Sequence, residues 1–248
     1  MMSNIIEIIG PPGVGKTTIY GSLCKTWCSS SNWIHQDALL SPKPEFSSFN
    51  SWVNYKLRAL IGKKTAKSIP IDYGLRFIND NEQLANFCWN YLSEVYKDEI
   101  DKRFRLAYFL FSDFCRYQAV LESSSKRPCI INEGLLQKSI FVDDDTDRML
   151  ILLEKYFSLI PLPYAVININ VEDSQVIVER LSKRKKVIAT HIGKDNEGMV
   201  LNIKKWQYLI NTIIDVVAKN GVRIVDVNAE RPIEENVKLL IGKLDKYS

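Results

Sequence analysis

The chain has 248 residues, 46% of them hydrophobic and 25% charged, with a formal net charge of +4. This is an ordinary globular composition with enough apolar matter for a sizeable core, arranged as one large domain or as a core with an insertion. The modest positive charge suits a polyanionic small ligand without demanding nucleic acid, and no apolar run reaches the roughly 18 residues that a membrane span needs.

Ile5-Ile6-Glu7-Ile8-Ile9 reads as a buried strand, entered directly from the N-terminus with no signal-peptide pattern. It feeds Gly10-Pro11-Pro12-Gly13-Val14-Gly15-Lys16-Thr17-Thr18, which fills every position of the phosphate-binding pattern G-x-x-x-x-G-K-[ST]. Glycines let the backbone take positive φ and approach a ligand closely. Successive N–H groups then face one concavity, and the next helix adds the partial positive charge of its N-terminus. Gly10, Gly13, Val14, Gly15 and Thr18 build that cradle. Lys16 supplies a mobile cation for β- and γ-phosphates, and Thr17 a hydroxyl for Mg2+. A helix is expected over Thr17 to Trp27.

Ser29 to Asn32 reads as a loop, and Trp33 to Asp37 as a second strand with Asp37 at its carboxyl end. Ligands of open α/β sheets bind at that end, so Asp37 either holds an acceptor hydroxyl or a water on Mg2+, or simply caps a helix or turn. Residues 41–103 show no clear strand pattern. Phe49 to Ile61 is helix-like, Ile69-Pro70-Ile71 is a break, and Leu84, Phe87, Cys88, Tyr91, Leu92 and Val95 mark a helical face. The expectation is a mostly helical insertion over the carboxyl edge of the sheet, with its aromatics in the core and its lysines on a solvated face.

A long amphipathic helix is expected over Phe104 to Ser123. Arg116 within it must either pair with an acid such as Asp113 or face a cleft. Cys129 to Asn132 reads as a short buried strand with Glu133-Gly134 at its tip. Glu133 then stands where a Mg2+-orienting acid is wanted, although Asn132 occupies the usual aspartate place. Asp143-Asp144-Asp145 reads as a capping turn before a helix over Met149 to Phe157. Tyr164 to Asn170 is the next strand, and Glu172 to Lys186 a helix that ends in Arg180, Lys183, Arg184, Lys185 and Lys186. Val187 to Gly198 reads as a mobile loop. A helix bearing Ile203 to Val217, a strand over Gly221 to Val227 and a helix opened by Pro232 complete the chain. The five cysteines are scattered without CxxC and there are two histidines, so reduced thiols in a cytoplasm are expected and a zinc site is not.

With these pieces placed, the chain resembles the P-loop nucleoside and nucleotide kinases, most closely the thymidylate-kinase-like ones. The likeness covers residues 1–27 and 104–247. It rests on the phosphate loop, on Phe111 to Gln118 against the family's F-x-x-D-R-x-Q helix, on Ile131-Asn132-Glu133-Gly134 against its acidic motif, and on Glu179 to Arg184 against its lid-opening R-x-x-x-R. Cys115 replaces the usual aspartate, and Gly134 stands where an arginine often follows the acid.

The resemblance implies a three-layer P-loop α/β fold: a parallel five-stranded sheet with helices on both faces, one domain over 1–248. Residues 40–103 would form a helical insertion on the acceptor side, and 183–198 a mobile basic lid. It implies ATP and Mg2+ as cofactors and γ-phosphate transfer to a small-molecule acceptor: a nucleoside, a nucleoside monophosphate or another hydroxyl metabolite. Glu133 would orient water on Mg2+ and act as base, with Asp37 as the second candidate. Arg184 would close over the γ-phosphate, Arg180 would stack on adenine, and Arg116 would hold the acceptor. Val227 to Arg231 would edge the adenine through backbone groups. Neither a membrane nor nucleic acid is expected as partner, and a homodimer is permitted. The competing reading is an ATP-hydrolysing switch or binding module acting on a macromolecular partner; an end-kinase on DNA or RNA is a third.

Overall fold

The computed structural model describes residues 3–40, 48–50, 53, 69–139, 146–183 and 196–247. Five parallel strands form one sheet in the order β2-β3-β1-β4-β5. They are β1 (Ile5–Ile9), β2 (Ile34–His35), β3 (Cys129–Asn132), β4 (Ala165–Asn170) and β5 (Arg223–Asn228). The Ile-rich β1 lies at the centre and is buried at every position, as a strand covered on both faces must be.

Alternation along β1 sorts the two faces. Ile6 and Ile8 pack with α1 (Lys16–Thr26), α8 (Ser174–Ser182) and α10 (Ile233–Leu244). Ile5 and Ile9 share a larger core with five helices of the other layer. These are α3 (Ile71–Asp80), α4 (Glu82–Val95), α5 (Ile100–Leu121), α7 (Thr146–Leu159) and α9 (Asn196–Lys219). The remaining short helices are α2 (Gln36–Leu40) and α6 (Leu135–Lys138). The result is the expected three-layer α/β architecture.

Register decides what emerges together at the carboxyl edge. Ile8 pairs with Asn132, Ile9 with Asn168, and Asn170 with Asn228. The phosphate loop therefore leaves the sheet between the ends of β3 and β4.

Three local expectations shift. The second strand ends at His35, and Asp37 lies in the first turn of α2. The break at Pro70 is a helix start, since proline is tolerated where its missing N–H would be unpaired anyway. The long helix opens at Ile100 rather than Phe104. Within the insertion, Phe77, Leu84, Cys88, Tyr91 and Leu92 join the core that holds Ile5 and Ile131, so Phe77 and Tyr91 are core as expected, whereas Phe49 is exposed. Most of the helix expected over Phe49 to Ile61, the Asp143 to Asp145 turn, and Arg184 with residues 185–195 of the lid lie outside the described residues.

Candidate active site

The phosphate loop has the backbone its glycines predict, with φ of 152° at Gly10, 89° at Gly13 and 116° at Gly15. Close approach adds a second constraint, because a Cβ at Gly10 would lie 2.3 Å from the carbonyl oxygen of Ile169. Gly15 precedes Lys16 at the start of α1, so the helix N-terminus faces the loop's concavity.

Lys16 is almost fully buried. Its Nζ donates to the carbonyls of Gly10 (2.7 Å) and Pro11 (3.1 Å) and pairs with Glu133 Oε1 at 3.2 Å. Glu133 comes from the tip of β3, and its N–H still donates to Ile8 O. It then turns away with φ of 63°, a left-handed conformation uncommon outside glycine. The loop lysine and the predicted acid thus meet at the mouth of the loop. The Glu133 side chain is 41% exposed, so a ligand can reach it.

Behind Glu133 lies a charged cluster. Arg116 on α5 bonds to Asp113 one turn earlier and donates from Nη2 to the Glu133 carbonyl at 2.9 Å. Lys138 of α6 reaches the other side of Asp113 at 3.3 Å. Burial pushes the Asp113 carboxyl up, against the pull of Arg116 and Lys138. Of the two options open for Arg116, the structure realises the ion pair with Asp113, and the same guanidinium also holds the Glu133 backbone.

Two contributors escaped the sequence reading. Gln137 of α6 accepts the Gly10 N–H through Oε1 at 2.9 Å. Glu7, fully buried in β1, accepts the N–H groups of Leu135 and Leu136 at 3.0 and 2.9 Å. Glu7 had a signal: an acid inside an isoleucine run must find donors. Gln137 had none, because only the fold brings α6 to the loop.

On the opposite side, Arg180 of α8 donates from Nη1 to Val14 O and from Nη2 to Ala229 O, each at 2.7 Å. It clamps the phosphate loop to the turn after β5. That turn is held by Ala229 N–H to Asn170 O at 2.8 Å and by Asn236 Nδ2 to Asn228 O at 2.9 Å. Beside it, a polar cavity of about 540 Å3 is lined by Pro11, Asn170, Glu172, Asp226, Asn228 and Arg231, among others.

Two oxygen donors suited to a hard cation border the loop: the exposed Thr17, next to Lys16 in the chain, and the Glu133 carboxylate that pairs with Lys16. Asn132 Oδ1 is buried without a hydrogen-bond partner among the described residues. The residues present fit Mg2+.

Asp37 stands apart from this cluster. Its Oδ2 accepts the Tyr20 hydroxyl at 2.9 Å, and it gathers with Cys24 and His35, their ligand atoms all within 4.8 Å of one another. Scarce histidine argued against a metal centre, yet the fold draws this trio together. Its members are already engaged. His35 Nδ1 accepts the Ala38 N–H at 3.3 Å, and burial raises the Cys24 thiol to about 11. The trio reads as polar packing among α1, β2 and α2.

No protein-family profile matches the chain, and no curated protein matches it. Among solved structures, deoxyadenosine kinase from M. mycoides with dCMP and a flexible dCDP aligns over 98% of this chain and 100% of that one, at 16% identity and a TM-score of 0.49. The same enzyme with bound dATP covers 98% and 100% at 18% identity, with a TM-score of 0.48. Shikimate kinase from Bacteroides thetaiotaomicron covers 97% and 98% at 14% identity, with a TM-score of 0.40. Among the described residues, no helix is long and apolar enough to cross a membrane.

Proposed function

We propose that this chain is a small-molecule kinase that transfers the γ-phosphate of ATP to a hydroxyl acceptor. The observation that carries the reading is the 3.2 Å contact between Lys16 Nζ and Glu133 Oε1 at the mouth of a fully formed phosphate loop. A phosphate-neutralising cation and a reachable carboxylate are what phosphoryl transfer to an alcohol needs in one place.

In this reading Lys16 exchanges the carbonyls of Gly10 and Pro11 for phosphate oxygens when ATP enters, while the loop N–H groups hold the phosphates. Thr17 and Glu133 hold Mg2+, which supplies charge neutralisation on the phosphate oxygens. Glu133 accepts the proton of the acceptor hydroxyl. Arg116 fixes the Glu133 carbonyl and offers its remaining N–H donors to the acceptor. Arg180, stretched between Val14 and Ala229, forms a flat edge for the adenine ring, with the turn over 227–231 beside it. Residues 40–103 form the acceptor side and 183–198 the lid, with Arg184 closing over the γ-phosphate. Asp37, bonded to Tyr20, is the weaker candidate for base. The reading is of a cytoplasmic single-domain protein that needs no nucleic acid.

An ADP-release screen against nucleosides, nucleoside monophosphates and sugars tests this, with Lys16→Ala as blank. The expected result is acceptor-dependent ADP formation above the blank. Turnover that ignores every small acceptor but responds to a protein or nucleic acid would replace the kinase with a switch.

A further inference from the structure

Glu7 is a buried acid that the steps above do not use. It pairs in register with Ile131 on β3, and one position further on Glu133 N–H donates to Ile8 O. Beyond that bond the chain turns through Glu133 at φ 63° and passes over the Glu7 carboxyl group. A Cβ at Gly134 would lie 2.4 Å from Glu7 Cδ, so only glycine lets the chain cross there. Each Glu7 oxygen then takes one N–H from the next two residues, Leu135 and Leu136. The same short segment carries Gln137, which accepts the first N–H of the phosphate loop.

A non-glycine residue at positive φ persists only where its surroundings over-determine it. Three contacts do so here: Arg116 on the Glu133 carbonyl, the missing Cβ of Gly134, and the Glu7 carboxylate. Of these, Glu7 is the one anchored in the central strand. It ties the rigid sheet to both the acid and the loop.

We propose that Glu7 is a positioning residue for phosphoryl transfer: by holding the N–H groups of Leu135 and Leu136 it fixes the turn that aims Glu133 at Lys16. This rests on the kinase reading above. Its ionised form is the competent one, because a carboxylate offers an acceptor to each N–H whereas the protonated acid gives up part of one oxygen. Burial lifts the carboxyl to about 7, with the two N–H groups and Arg116 pulling it down. The groups facing it are Arg116 and Tyr117 from α5 and Tyr156 from α7. Burial raises both phenols well out of the neutral range, and arginine stays charged. Among the described residues Asp113, paired with Arg116, is the other carboxyl raised by burial, so a Glu7 variant is required to separate the two.

The test compares wild type, Glu7→Gln and Gly134→Ala across neutral pH. It reads kcat and KM for MgATP from ADP release, using the acceptor found in the screen, and hydrogen exchange at the Leu135 and Leu136 amides. Glu7→Gln should lower kcat roughly 10- to 100-fold while leaving KM for ATP within about threefold. It should also abolish a rise of wild-type kcat through neutral pH and speed exchange at both amides. Gly134→Ala pushes the same contact apart from the other side and should show the same kcat loss, which keeps the test alive if the glutamine variant does not fold. A kcat within about twofold of wild type in either folded variant, with the pH rise retained, overturns the proposal. If wild type shows no turnover above the Lys16→Ala blank, the kinase reading fails, and the exchange measurement alone decides whether Glu7 anchors the turn.

Discussion

The two flanks of the phosphate loop are built from different materials. On the β4–β5 flank, one arginine and a set of backbone carbonyls close the structure: Arg180 bridges Val14 O and Ala229 O, and the turn after β5 is pinned by main-chain and amide bonds. On the β3 flank, charged side chains do it: Glu7 of β1 holds the start of α6, and Asp113 and Arg116 of α5 link Lys138 of α6 to the Glu133 carbonyl. Backbone groups do not titrate and survive most side-chain substitutions. Buried charges are sensitive to pH and to substitution. In the proposed kinase the first flank would hold the adenine of ATP, a constant partner, and the second would carry the step in which a proton moves.

The comparison predicts where the molecule breaks most easily. The largest effect should come from Glu133→Gln, since loss of a general base costs roughly 10²–10⁴-fold in kcat. Steady-state ADP release checks it, and activity within a few-fold of wild type would remove Glu133 from that role.

The next effect is on stability and concerns Glu7. Its folded carboxyl lies at about 7 against an ordinary 4.5, so between those values the folded state keeps a proton that the unfolded chain releases. This contribution is fully present below about pH 4.5 and is lost as pH rises through about 7, on the order of 3 kcal/mol in total. Urea unfolding of Glu7→Gln should lack that decline, while kcat of the wild type rises over the same window. Opposite signs in the two measurements distinguish positioning from mere packing.

Asp113→Asn should follow. It leaves Arg116 and Lys138 facing a neutral amide, at a cost of about 2–3 kcal/mol once their partial exposure is discounted. The smallest effect belongs to the other flank. Arg180→Lys keeps the charge but loses the fork that spans Val14 and Ala229, so ATP binding should weaken about tenfold with little change in kcat. A drop in kcat equal to that of Glu133→Gln would erase the contrast between the flanks.

Much of the fold was legible because its signals are local. Ile5–Ile9, the glycines of the loop and Cys129–Asn132 follow from residue type and short-range sterics, and they stand where they were expected. The second strand ends two residues earlier than expected because Ile34–His35 carry too little pattern to fix an end, and Asp37 falls in a helix's first turn, close to its other reading. Of the candidate site, the sequence showed the two residues that the fold brings into contact, Lys16 and Glu133. Their contact depends on the register of Ile8 with Asn132, which no local pattern encodes.

Residue types alone place a phosphate cradle after a buried strand, because positive φ and close approach restrict those positions to glycine and the ligand needs a lysine. They also determine that Glu7, an acid inside that strand, had to find donors. Which donors it found, and to what end, depended on packing between distant segments. Parallel pairing brought the tip of β3 over β1, and Gly134, lacking a Cβ, let the two chains touch. A buried carboxylate and a turn more than 120 residues away thereby became one part of the site.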